Sequence, residues 1–139
     1  MITDATTLAD MQASWTGALG VQARIKRDSM GAFTMGRHFP RFTADAAHNV
    51  PFLLACGVLN DVLLALRDQG AFASKQRTLD GLMADSRGSL AWLNYARMDQ
   101  IKDARNALAH DGKMLSRGDC WAAIDDIGRQ LIGWGIVAP

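Results

Sequence analysis

The stretch IKDARNALAHDGK (residues 101–113) carries Arg105, Asn106 and His110, three side chains of the types that act on a phosphodiester. In RNA the 2′-hydroxyl is itself the nucleophile, so cleavage needs no metal-bound water. It needs proton transfer to and from two oxygens, and positive charge against the phosphorane-like transition state. Histidine transfers protons near neutral pH, and arginine offers a planar two-donor fork to phosphate oxygens. Asn106 can orient the histidine or hold a phosphate oxygen through its amide. His110 falls at the expected end of a helix, where the last carbonyls attract a cation.

The spacing sets a condition. Asn106 and His110, four apart, share a helical face, whereas Arg105 and His110 are separated by about 140° on an ideal helix. They converge only where the helix loosens, at Ala109–His110 before the Asp111–Gly112 turn. The same residues also suit an ordinary helix end, with a histidine capping carbonyls beside a solvated arginine. One histidine per motif is also only half of an acid–base pair, because His38 and His48 are remote in sequence. A two-fold homodimer that brings two motifs into one cleft would supply the second histidine.

The elements that must position these residues are helical. Apolar residues recur at three and four along nearly the whole chain and no strict alternation occurs, so an all-α fold is expected. A first helix is expected over about 6–27, with Leu8, Met11, Trp15, Ala18 and Leu19 as its stripe. Residues 29–41 read as a loop punctuated by Gly31, Gly36 and Pro40. With Arg37, His38 and Arg41, that loop is either an RNA-contacting flap or a solvated connection.

A second helix over about 45–69 stops at Gly70 and is apolar nearly all round, so it is the expected central element. Its Pro51 sits either in the first turn of a helix capped by Asn49 or inside a longer helix begun near Thr43. A third helix is expected over about 75–87. Ser89 should cap a fourth with Leu90, Leu93, Arg97, Ile101, Ala104 and Leu108 on its inner face. Asp111–Gly112 ends it. Asp119 should cap a last helix striped by Cys120 or Trp121, Ile124, Ile127, Leu131 and Trp134. About five helices with short connections predict one domain over 1–139, an up-and-down bundle. Trp92 and Tyr95, off the inner face of the fourth helix, either pack peripherally or form surface for a partner subunit.

Composition narrows the classes. In 139 residues almost half are apolar, so a folded core is expected rather than disorder. Net charge is only +1, but Arg97, Lys102, Arg105, Lys113 and Arg117 gather around the motif. Lys102, Lys113 and Arg117 are the candidates to guide a phosphate backbone. A second basic set, Arg24, Lys26, Arg27, Arg37 and Arg41, is opposed only by Asp28. All 14 acidic residues are aspartate, so acid–base work falls to Asp or His. Cys56 and Cys120 read as buried thiols, and no metal-ligand spacing occurs, so neither metal nor cofactor is expected. The longest apolar cluster, VPFLLACGVLNDVLLAL, is interrupted by Asn60 and Asp61 and reads as a buried helix, not a membrane span. The start MITDATTLADMQ lacks signal-peptide character, which makes the cytoplasm the default compartment.

ARNALAHDGK resembles the signature of HEPN domains: an arginine, usually a polar neighbour, and a histidine four to six residues on. Arg105, Asn106 and His110 match those positions. The resemblance extends to the closing helix in SRGDCWAAIDDIGRQLIGWGI and to the earlier apolar helix with a polar pair, LLACGVLNDVLLAL. It covers residues 45–134 and is strongest over 99–134. It implies a metal-independent endoribonuclease, homodimeric with the motifs at the interface, of a kind often acting as a toxin or defence factor restrained by an antitoxin or other inhibitory partner. Two departures matter. Asp111 and Gly112 follow the histidine, so the branch whose motif tyrosine is modified by a nucleotidyltransferase antitoxin is not supported. Asn60 and Asp61 stand where many relatives carry glutamate. The alternatives are a non-catalytic helical module binding RNA or protein, and the substrate-binding partner of a nucleotidyltransferase.

Overall fold

The computed structural model describes residues 1–34 and 41–139, with side chains described outside 29–45. Five α-helices make up the regular structure among these residues: α1 (Ala5–Thr34), α2 (Arg41–Asp68), α3 (Leu79–Ser86), α4 (Tyr95–Asp111) and α5 (Arg117–Gly133). The fold is an all-α bundle organised around α2, which packs against each of the other four helices.

Sequence explains that centrality. Phe52, Ala55, Leu59, Val62, Leu63 and Leu66 of α2 are all essentially inaccessible, and they meet Ile124, Ile127 and Leu131 of α5 in one core. Truncating any one of these large side chains to alanine costs roughly 2–5 kcal/mol, from lost transfer energy and the cavity left behind. Pro51 lies inside α2, so the longer of the two expected helices forms. Asn49 is therefore not a cap but an interior residue. By length and composition, Ala46–Asp68 could span a membrane, against the expectation that Asn60 and Asp61 would disqualify it. Most of its apolar side chains instead fill the core, with Val50, Leu53 and Leu54 left exposed.

Helix ends follow local chemistry. Asp4 caps α1: its Oδ2 accepts from the Thr7 backbone N and hydroxyl, both at 2.8 Å, and these bonds hold its carboxyl below the usual value. Thr78 caps α3, and Ser116, not Asp119, caps α5 by accepting from Asp119 N at 3.2 Å. The first helix outruns its expected end and absorbs residues 29–34; Arg41 belongs to α2. Arg37 and His38, the core of the expected flap, lie outside the described residues.

The fourth helix differs most. It begins at Tyr95 under an Asn94 cap, not at Ser89. Leu90 and Leu93 consequently sit in the preceding loop, and Leu93 is exposed. The cause is tertiary. Gln130 of α5 accepts from Leu93 N (2.8 Å) and donates to Ala91 O (3.3 Å), while Trp134 Nε1 donates to the same carbonyl (3.0 Å). These bonds satisfy the Ala91 carbonyl and the Leu93 N–H without a helix. Trp92 packs edge-on against Trp134 and Tyr95, at 4.8 and 5.4 Å between ring centroids. Both residues are thus peripheral packing within the chain. Met98 and Ile101 are the fully buried residues of α4.

Candidate functional site

The motif occupies the last two turns of α4. Helical geometry persists through Asp111, and Gly112 closes it at φ 65° with its N–H directed to the Ala107 and Leu108 carbonyls. An L side chain is strained at that φ, which suits glycine to the stop. No loosening occurs at Ala109–His110, so the motif's two halves stay on different faces of one helix.

Arg105 points toward α2 and α3. It lines a cleft of about 390 Å³ with Leu53, Cys56, Gly57, Asn60 and Asp61 of α2, and with Arg77, Thr78 and Leu79. Its Nη1 donates to Asn106 Oδ1 at 3.1 Å, and Asn106 Nδ2 donates to Asp80 Oδ2 at 2.9 Å. The asparagine therefore positions the arginine, not the histidine, by tying it to α3. His110 is exposed, and its imidazole has no hydrogen-bond partner among the described residues.

Asp61 lies at the cleft with its carboxyl raised from the ordinary value by desolvation. That shift moves a carboxylate toward the range in which proton transfer is efficient. Burial also pushes the Cys56 thiol up to about 12, outweighing the opposite pull of Arg105. Cys56 is thus a protonated wall of the cleft, not a nucleophile. Arg77, Thr78, Asn60 and Asp61 escape a motif-based search because they approach Arg105 only through the packing of α2 and the α3 cap on α4. The polar pair inside an otherwise apolar α2 is the one signal in the sequence that marks them.

Three cations were expected to guide phosphates, and their fates diverge. Lys102 Nζ is surrounded by Asp99 (2.7 Å), Asp80 (3.2 Å) and Asp103 (3.3 Å). Those carboxylates raise its pKa, and a phosphate would have to displace them. Lys102 is therefore part of a clasp between α3 and α4. Lys113 and Arg117 are exposed and have no carboxylate within 4 Å among the described residues.

The segment between α4 and α5 is held from below. Asn49 Nδ2 donates to Leu115 O and its Oδ1 accepts from Leu115 N, both at 3.0 Å. A buried amide of α2 thus supplies partners for both backbone groups of Leu115, which lies outside the helices. This fixes Lys113 on one side and Arg117 on the other.

Comparison with family models, with curated proteins and with solved structures found no match to this chain. The HEPN resemblance accordingly rests on the sequence alone.

Proposed function

We propose that the chain is a metal-independent endoribonuclease of HEPN type that acts as a homodimer in the cytoplasm. The observation carrying this reading is the built arginine. Arg105 is half-buried, held by Asn106 and presented in a cleft with Asn60 and Asp61, while His110 stands unengaged at the end of the same helix. A purely structural arginine in that place would find a carboxylate partner, and no ion pair engages it among the described residues.

Cleavage would run as follows. A base removes the 2′-hydroxyl proton, the 2′ oxygen bonds to phosphorus, the bond to the 5′ oxygen breaks, and an acid protonates that leaving oxygen. The products are a 2′,3′-cyclic phosphate and a 5′-hydroxyl. Arg105 offsets the charge that grows on the phosphoryl oxygens. His110 serves as one proton carrier and its copy in the second subunit as the other.

A face that a second copy would cover is available. Val50, Leu53 and Leu54 are exposed on α2, and Gly57 one turn further on meets open space. Leu53 and Gly57 also line the Arg105 cleft, so a copy docking there would close over the arginine.

The test is incubation with varied RNAs in EDTA, comparing wild type with His110→Ala, Arg105→Ala and Leu54→Asp. Cyclic-phosphate products from wild type alone are expected. No cleavage by wild type, or equal cleavage by His110→Ala, would sink the reading. The placement of Arg105 and His110 on different faces of one helix favours a second reading, a non-catalytic RNA-binding or protein-interaction module. RNA binding without cleavage that survives both substitutions would establish it.

A further inference from the structure

Away from the motif, α1 and α5 bring two cations onto one indole. Lys26 Nζ sits 4.2 Å from the ring centroid of Trp121, and Arg117 Cζ lies 5.4 Å from it. The indole is itself fixed: its Nε1 donates to Nδ1 of the fully buried His48 at 3.0 Å, and the rings meet edge to face at 5.3 Å. Neither cation has a carboxylate within 4 Å among the described residues. This is the opposite treatment from that of Lys102, which the fold neutralises three times over. Cation–π attraction of about 0.5–1 kcal/mol at exposed sites holds each cation near the ring without offsetting its charge. An anion bound by these cations would supply the missing opposite charge.

We propose that Lys26, Trp121 and Arg117 form a seat for the phosphate backbone of single-stranded RNA, continuing from His110 through Lys113 along the segment pinned by Asn49. The ligand class follows from the chemistry. Cations lying over the ring compete with base stacking, so the seat reads backbone charge and not base identity. The path from His110 to Arg117 is short in sequence and its middle is fixed by the Asn49–Leu115 bonds. A strand bound there would run past the histidine. The idea rests on the ribonuclease reading for its choice of polymer.

The experiment uses the wild-type chain and a short fluorescein-labelled 2′-O-methyl oligoribonucleotide, which lacks a free 2′-hydroxyl and cannot be cut. Binding is followed by anisotropy across a salt series. Lys26→Gln and Arg117→Gln should each weaken binding several-fold and lower the salt slope by about 1, with the double variant additive. Lys26→Arg should restore binding, which separates charge from folding. Affinity should be the same for oligomers of different sequence. Unchanged affinity and slope in the double variant, no binding by wild type, or failure of Lys26→Arg to restore it would overturn the seat. Cleavage of ordinary RNA is measured in parallel. Cleavage with an unaffected double variant rejects the seat alone, whereas seat-dependent binding without cleavage rejects the nuclease reading alone.

Discussion

The two ends of α4 carry similar residues and use them differently. In its first three turns Arg97 bonds Asp126 at 2.7 Å, where Arg129 also binds, and Lys102 sits among three aspartates. At its other end His110, Lys113 and, beyond the turn, Arg117 have no carboxylate partner, although Asp111 and Asp119 lie close in sequence. Local charge density is the same. What differs is whether aspartates reach the cation, from α4 itself at Asp99 and Asp103 and from neighbouring helices at Asp80 and Asp126. Asp80 of α3 and Asp126 of α5 reach the first region, and neither reaches the second. A basic cluster becomes a candidate phosphate surface only where packing leaves it uncompensated.

The comparison breaks first at the motif. His110→Ala and Arg105→Ala should each lower RNA cleavage by roughly 10²–10⁴-fold, the usual contribution of a proton carrier or a transition-state cation. Lys102→Gln should leave it within a few-fold, as read from initial rates in EDTA. Loss in Lys102→Gln equal to that in His110→Ala would mean the clasp, and not the open end, holds the chemistry.

The next effect concerns the pinned segment. Asn49→Ala removes both bonds to Leu115 and strands its backbone groups, at about 1–3 kcal/mol. A denaturant titration should show that loss, and amide exchange should accelerate at Leu115. Unchanged protection there would separate the segment from α2.

Smaller still is the salt response. Lys113→Gln should reduce the salt slope of binding to the uncleavable oligomer by about 1, and Lys102→Gln should not change it. The smallest effect lies at alkaline pH. The Asp99 hydrogen bond, against opposing burial, and then Asp80 and Asp103 raise the Lys102 ammonium above the ordinary 10.5. A raised folded-state value gives stability that is complete below 10.5 and lost as pH rises through the folded value. Thermal melts from neutral to alkaline pH should show that decline in wild type and a flatter profile in Lys102→Met.

Local signals set the helices well where their own residues made the bonds. Gly112 and Gly70 stop helices because a positive φ suits glycine, and the α5 stripe of Cys120, Ile124, Ile127, Leu131 and Trp134 is buried as its period requires. Ser89 has the residue type of a cap, and nothing near it in sequence says that Gln130 and Trp134, some forty residues away, hold the backbone that follows it.

The candidate site divides in the same way. From sequence alone came the all-α class, the central α2, the end of α4 and the three motif residues, because period, capping and glycine conformation act within a few residues. Tertiary structure alone decided that Asn106 holds Arg105 and not His110, and that Arg105 faces Asn60 and Asp61. It also decided that Lys102 is neutralised, and that Lys26 and Arg117 share one indole. The Asp80 contacts to Asn106 and Lys102, the cleft around Arg105 and the shared indole join helices distant in sequence, through forces that fall within a few ångströms and are therefore set only when the bundle packs.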